Sequence, residues 1–249
     1  TDLLVKNCLL SKSKVPQDIL IKEGVIKDIA SKITLDNIPM IDADFHFVTP
    51  PFVDSHFHMD ATLSYGLPRV NKSGTLLEGI KLWGELKPNL TADAIKERAL
   101  KFCKWAIARG TLAIRSHVDV SGQNLVGVEA LLDVRETMKD FIDIQLVAFP
   151  QDGLLRANCL DNLNTALDMG VDVVGGIPHF ERTMEEGHES IRILCEIAEK
   201  RGLLTDLHCD ETDDPTSRHV EKLALETTRL GLKGRVAGSH LTSMHSICL

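Results

Sequence analysis

The stretch PPFVDSHFHMD, residues 50–60, combines the signal of a β-strand with two closely spaced histidines. Two prolines precede a short apolar run, which ends in His56, Phe57 and His58. Residues two apart in a strand face the same side, so both imidazoles would point the same way. Two imidazoles so placed can bind one metal ion. The stretch therefore predicts a strand that carries two metal ligands at its carboxyl end.

From Pro50 onward, apolar strands alternate with amphipathic helices. Thr91 is a plausible cap for one helix and Gly110 a plausible stop. After the strand at 52–58, further strands are predicted at residues 111–118, 142–149, 171–177, 203–208 and 236–240. Helices are predicted from residue 91 and at residues 125–139, 160–169, 189–201 and 217–231. Alternating units of this kind indicate a parallel sheet covered by helices.

The predicted fold is therefore an α/β fold, a (β/α)8 barrel of the TIM type. Residues 50–249 contain six of its eight βα units, and a closed barrel needs all eight. An open parallel edge is rarely left unprotected, so we expect the chain to be truncated at its C-terminal side. Residues 1–49 differ: short β-type runs at 3–10, 18–22 and 25–29 predict a separate small β-subdomain.

Composition excludes several classes of function. The net charge is −8 and the basic residues are scattered, which argues against a nucleic-acid groove. Uncharged apolar stretches are too short to span a membrane. The six cysteines are widely spaced and include no C-x-x-C pair, so we expect reduced thiols in a cytoplasmic protein. One of them is Cys248.

Polar side chains follow the other predicted strands, where barrel enzymes place their active sites. His208 ends the fifth strand and could be a third metal ligand. Glu211 lies just beyond it and could move a proton from an attacking water to a leaving nitrogen. His240 ends the sixth strand and could hold the hydroxide or stabilise developing negative charge.

Two further positions remain open at this level. Gln151 follows a strand and a proline, and its carboxamide suits the edge of a heterocycle that presents a carbonyl beside a ring N–H. A loop glutamine without a function is equally compatible with that position. His117 and Asp119 end the second strand, either as a structural hydrogen-bonded pair or as catalytic groups.

Several stretches together resemble the cytosine deaminase family of the amidohydrolase superfamily. The resemblance runs from about residue 3 to residue 246. It rests on PPFVDSHFHMD (50–60), SGTLLEGI (73–80), HVDVS (117–121), QLVAFPQDG (145–153), DVVGGIPHFE (172–181), DLHCDETDD (206–214) and SHLTSMHS (239–246).

The resemblance implies a barrel with a small β-sandwich and one divalent metal ion, Fe2+ or Zn2+. It implies that the metal ligands are His56, His58 and His208. Glu211 would be the proton shuttle, and His240 would position the hydroxide. Gln151 would hold the carbonyl edge of a pyrimidine, and Leu76 lies in the segment that approaches the ring.

The family's fourth ligand, an aspartate after the eighth strand, has no counterpart here, and residues 247–249 depart from the family. The β-sandwich would likewise lack its C-terminal strands. We predict hydrolytic deamination of cytosine, or of a closely related small heterocycle, to the carbonyl product and ammonia. The alternatives are a deaminase or amidohydrolase for isocytosine, creatinine or a triazine, and an inactive truncated barrel that acts as a binding protein.

Two related classes are disfavoured. Dinuclear hydrolases bridge their metals with a lysine after the fourth strand, and residues 171–181 contain none. The cysteine-ligated nucleobase deaminases carry a signature that is absent here. We expect a small pyrimidine-like substrate, no nucleic-acid or membrane partner, and a homo-oligomer.

Overall fold

The computed structural model describes residues 2–246; residues 1 and 247–249, and with them Cys248, lie outside the described part. The chain divides into two compact units, Thr1–Pro51 and Phe52–Leu249. Among the described residues, the cysteines are free and buried: Cys8, Cys103, Cys159, Cys195 and Cys209. No helix in this part of the chain is long and apolar enough to cross a membrane.

The first unit contains one four-stranded sheet in the order β3-β2-β1-β4. Its strands are β1 (Leu3–Cys8), β2 (Gln17–Lys22), β3 (Val25–Ala30) and β4 (Met40–Asp42). β2 pairs antiparallel with β1 and β3, whereas β4 lies parallel to β1. Glu23 and Gly24 join β2 to β3 with positive φ angles of 53° and 77°, as two-residue hairpin turns require. The three predicted β-runs are present, and β4 was not predicted because three exposed residues show no alternation.

The second unit is built on a curled sheet of six strands in the order β10-β9-β8-β7-β6-β5. All neighbouring strands are parallel. The strands are β5 (Phe52–Phe57), β6 (Thr111–Asp119), β7 (Asp143–Phe149), β8 (Val173–Gly176), β9 (Leu204–Cys209) and β10 (Val236–His240). Each strand lies next to the one before it in the chain, as in one side of a TIM-type barrel.

Helices connect these strands. They are α1 (Leu76–Leu86), α2 (Ala92–Ala108), α3 (Val126–Met138), α4 (Cys159–Asp168), α5 (Met184–Arg201) and α6 (His219–Arg229). The hydroxyl oxygens of Thr75, Thr91 and Thr183 accept hydrogen bonds from main-chain N–H groups and cap α1, α2 and α5. α5 begins five residues before the predicted position because Thr183 caps it there. Helix α1 was not predicted, because Gly79 and Gly84 obscure its helical pattern in the sequence.

The core of this unit lies between the sheet and its covering helices. Its most buried side chains include Ile114, Leu131, Val134, Leu146, Ala148, Leu163, Val174, Ile191, Leu194 and Leu207. Burying one such leucine or isoleucine contributes about 1.5–3 kcal/mol. β8 packs so tightly that a Cβ at Gly175 would lie 2.5 Å from Ala148 O, and one at Gly176 would lie 2.4 Å from Leu194 Cδ1. A side chain at Gly175 would collide with the main chain of β7, and one at Gly176 would displace two buried leucine side chains. Close packing therefore holds β8 in place between its neighbours.

Candidate metal and substrate site

A cavity of about 400 Å3 opens at the carboxyl ends of the parallel strands. Side chains from five strand ends and from α1 line it. The sequence-predicted site residues all lie on its wall: His56, His58, Leu76, Gln151, His208, Glu211 and His240. Residues far apart in the chain therefore meet at one place.

The imidazoles form a compact cluster at one end of this cavity. His58 Nε2 lies 3.1 Å from His208 Nε2. The ring centroid of His56 is 4.7 Å from that of His208 and 4.8 Å from that of His240. Nitrogen atoms so close together repel when protonated, whereas they can share a cation when neutral.

His117 also belongs to this cluster. From the sequence alone, its role was open between a structural pair with Asp119 and a catalytic group. Its ring centroid lies 4.5 Å from that of His56 and 4.6 Å from that of His208. The three residues can offer nitrogen atoms that all lie within 4.8 Å of one another. Neither ring nitrogen of His117 has a hydrogen-bond partner, so the suggested pair with Asp119 is not formed. The missed signal was the position of His117 in its strand, which turns its side chain inward beside the other histidines.

Burial keeps these imidazoles neutral. Burial, followed by the neighbouring imidazoles, lowers the pKa of His58 to about 4 and that of His117 to about 2. The pKa values of His56 and His208 are lowered for the same two reasons. Buried nitrogen atoms without partners remain on His56, His117 and His208. Neutral, unpartnered imidazoles in one cluster are a donor set that fits a divalent metal ion.

A buried carboxylate lies below the cluster. Asp206 accepts a hydrogen bond from Arg115 Nη1 at 2.8 Å and another from Ser239 Oγ at 2.9 Å. Its Oδ1 lies 3.9 Å from His117 Nε2. Asp206 was not predicted as a site residue, although it precedes His208 by two residues and so shares its side of β9.

Glu211 and His240 meet at the edge of the cavity, where Glu211 Oε1 lies 3.6 Å from His240 Nδ1. Burial raises the pKa of Glu211, and the nearby His240 partly offsets this rise. A carboxyl group with a raised pKa in a cavity is suited to taking up and releasing a proton.

The turn that carries Glu211 is held by the residue before it. Asp210 Oδ1 accepts hydrogen bonds from His219 Nδ1 at 2.8 Å and from Ser217 Oγ at 2.8 Å. Its Oδ2 accepts another from the main-chain N–H of Val220 at 2.9 Å. These bonds outweigh the cost of burial and hold the pKa of Asp210 well below its usual range. Asp210 thus fixes the start of α6 against the end of β9 and orients its neighbour.

The wall facing the imidazoles comes from one face of α1. Leu76, Gly79, Ile80 and Trp83 follow one another at helical spacing along this face. Leu76 is 52% exposed, so it stands at the rim rather than in the depth of the cavity. Gln151, just after β7, lines the same cavity. A cavity that combines an apolar helix face with a carboxamide suits a planar ring with polar edges.

Comparison with known proteins gives a family match. The sequence model of the amidohydrolase family matches residues 40–246. This range includes the histidine cluster, Glu211 and the whole of α1.

The chain is similar to proteins named as deaminases and as an amidohydrolase. The structure of 5-methylcytosine deaminase from Klebsiella pneumoniae, liganded with phosphonocytosine, is 39% identical with a TM-score of 0.93. N-isopropylammelide isopropyl amidohydrolase of Pseudomonas sp. (strain ADP) is 34% identical over 96% of this chain. Pterin deaminase of Rhizobium rhizogenes is 28% identical over 94% of this chain.

All three relatives are longer than this chain. The match with the Klebsiella enzyme covers 98% of this chain but 60% of that enzyme. It spans 60% of the Pseudomonas protein and 54% of the Rhizobium protein.

Proposed function

Because this chain belongs to the amidohydrolase family, we propose that the protein catalyses the hydrolytic deamination of cytosine or of a closely related small heterocycle. The observation that carries the proposal is the meeting of Glu211 with His208 and His240 around one cavity. Relatives named as deaminases and as an amidohydrolase support the same class of reaction.

The histidine cluster would hold one divalent metal ion, Fe2+ or Zn2+. His56, His58 and His208 would be its ligands, supported by their short separations and their lowered pKa values. Such an ion, when bound, lowers the pKa of water and supplies a nucleophile near neutral pH.

Glu211 would carry the proton through the reaction. Its carboxylate takes a proton as the water oxygen attacks the amidine carbon of the ring, and the resulting acid gives that proton to the leaving nitrogen. The carbon–nitrogen bond then breaks and ammonia leaves. The second proton of the water passes to the adjacent ring nitrogen, so that a carbonyl group beside a ring N–H remains. A raised pKa brings Glu211 closer to neutral pH, where both transfers are efficient.

His240 and Gln151 would orient the reactants. His240 Nδ1 faces Glu211 Oε1 and can hold the attacking oxygen beside that carboxyl group. The carboxamide of Gln151 can donate to a ring carbonyl and accept from a ring N–H. Leu76 would contact the ring from the rim of the cavity. Correct alignment of this kind accounts for much of the rate enhancement of enzymes.

Ammonia release from a panel of rings tests this proposal. The panel contains cytosine, 5-methylcytosine, isocytosine, creatinine, a triazine and pterin, each assayed with the metal-loaded protein. We expect turnover of cytosine or a close relative, and a loss of about 10²–10⁴-fold in Glu211→Gln. Glu199→Gln, an exposed change on α5, is the matched control and should keep full activity. Equal activity in Glu211→Gln and the parent protein would remove Glu211 from the mechanism, and turnover of none of the rings would refute the proposed function.

A further inference from the structure

Helix α1 is tied to the strand ends through a single carboxylate. Asp119, the last residue of β6, accepts a hydrogen bond on Oδ2 from Trp83 Nε1 at 2.7 Å. The same oxygen accepts a second bond from Lys87 Nζ at 3.1 Å. Trp83 lies on the substrate wall, and Lys87 follows the end of α1. The wall is therefore held by a group that does not itself line the substrate cavity.

Lys87 also reaches the loop that carries Gln151. Its Nζ donates to Asp152 Oδ2 at 2.9 Å, and Asp152 is the next residue after Gln151. A second path runs through Ser121, whose Oγ donates to Asp119 Oδ1 at 2.6 Å and accepts from the main-chain N–H of Asp152 at 3.0 Å. The two walls of the substrate cavity, α1 and the Gln151 loop, are thus joined through Lys87 and Asp119.

The Lys87–Asp119 part of this bridge is shielded from solvent. The side chains of Asp119 and Lys87 are 4% and 20% exposed, whereas that of Asp152 is 52% exposed. A second cavity of about 250 Å3 lies on this side of Trp83, which lines both cavities. Removing one partner of a shielded ion pair leaves the other charge uncompensated, so the geometry of the bridge is strongly preferred over a broken state.

We propose that Lys87 and Asp119 are positioning residues that set the width of the substrate cavity between Trp83 and Gln151. The ring-binding part of this inference rests on the proposed function, whereas the fixing of α1 does not. The bridge contacts none of the proposed metal ligands. We therefore expect its loss to weaken binding of the ring and to leave metal binding unchanged.

The fixing of α1 can be measured without any substrate. The chain has two tryptophans, and Trp105 is 53% exposed on α2, so Trp105→Phe leaves Trp83 as the only indole. In that background, Lys87→Met is compared with Lys81→Met, an exposed change on the same helix, and with Lys87→Arg. We expect a rise in the acrylamide quenching constant of Trp83 in Lys87→Met only. Equal quenching in Lys87→Met and Lys81→Met would overturn the inference.

The effect on the ring is measured with the same variants in steady-state assays with the ring of the panel that the parent protein turns over fastest. We expect KM to rise by about 10-fold in Lys87→Met, because a displaced wall binds the ring less tightly, with a smaller change in kcat and an unchanged metal content. Lys87→Arg should restore most of the affinity. A higher quenching constant of Trp83 together with an unchanged KM would overturn the positioning role.

Asp152→Asn keeps the inference testable if Lys87→Met does not fold. This half-exposed residue supplies one arm of the bridge, so the change should fold normally and give a smaller rise in KM with the same sign. An unchanged KM in this variant would also overturn the inference. If the parent protein turns over no ring, the proposed function fails, and the quenching comparison alone still decides whether the bridge fixes α1.

Discussion

Glu211 Oε1 lies 3.6 Å from His240 Nδ1, which joins the ends of two adjacent strands across the edge of the cavity. His240 has a φ angle of 71° and the following Leu241 one of 55°, both in the left-handed region. This conformation costs about 1–3 kcal/mol for a residue with a side chain, and it tends to occur at functional sites. The strained turn therefore supports a functional role for the contact between Glu211 and His240.

A double-mutant cycle tests whether this pair works as a unit. Glu211→Gln and His240→Asn are expected to lower kcat each, the former by about 10²–10⁴-fold. The double variant should lose much less than the product of the two single losses, because the second change removes a group whose partner is already gone. Steady-state rates of all four proteins measure the coupling. Losses that multiply would show that the two residues act independently.

Asp210→Asn should loosen the turn that carries Glu211. The variant retains its shape but weakens the bonds from His219 and Ser217 to a buried carboxylate. We expect the free energy of unfolding to fall by about 1.5–3 kcal/mol, the range for hydrogen bonds to charged groups, together with a lower kcat. Urea denaturation measures the first effect, and Asp213→Asn, an exposed neighbour, is the control. A loss of stability no larger than in the control would contradict the role given to Asp210.

Zn2+ binding by histidine variants can distinguish the proposed metal ligands from His117. His58→Ala should abolish stoichiometric Zn2+ binding because a proposed ligand is lost. His117→Asn should weaken binding by about 10–100-fold, as changes behind the ligands do. Isothermal titration calorimetry on the folded variants measures both. If His117→Asn lost more Zn2+ affinity than His58→Ala, the ligand set would be His56, His117 and His208.

Much of this architecture could be predicted from the sequence. The strands that carry the site are within two residues of their predicted ends, because each is an apolar run bounded by turn residues. The proposed ligands His56 and His58 stand at such an end, where barrel geometry brings side chains together.

Other features of the site depend on packing that no local pattern records. The bonds from Trp83 and Lys87 to Asp119 join residues that are distant in the chain. His117 joined the cluster unpredicted, because its surroundings depend on which side of β6 faces the other strands. The same holds for Asp206, a carboxylate whose partners come from β6 and β10.

Acid should selectively weaken the segment before α1. Glu78 accepts hydrogen bonds from the main-chain N–H of Ser73 at 2.6 Å and from Arg69 Nη1 at 2.8 Å. Bonds from Ser73, followed by that from Arg69, lower the pKa of Glu78 to about 2. A lowered pKa in the folded state gives stability that is present above the unfolded value of about 4.3 and is lost as the pH falls toward 2.

Glu78→Gln should therefore lower Tm at pH 7, and its difference from the parent protein should shrink as the pH falls from about 5 to about 2. Thermal unfolding followed by circular dichroism at several pH values measures this trend. Glu97→Gln, an exposed change on α2, is the control. A difference in Tm that stays constant over this range would mean that Glu78 acts through its shape rather than its charge.

Gly79 gives the sharpest test of α1 as the substrate wall. A Cβ at this position would meet only Asn71 Nδ2, at 3.8 Å, so Gly79→Ala should fold without strain. Replacing a helical glycine by alanine should stabilise the protein by about 0.5–1 kcal/mol. Because Gly79 lines the cavity, the added methyl group should raise KM for the larger rings, such as pterin, more than for cytosine. Gly84→Ala on the same helix, with open space around it and away from the cavity, should give the stability gain alone. If both variants leave every KM unchanged, the ring does not bind against α1.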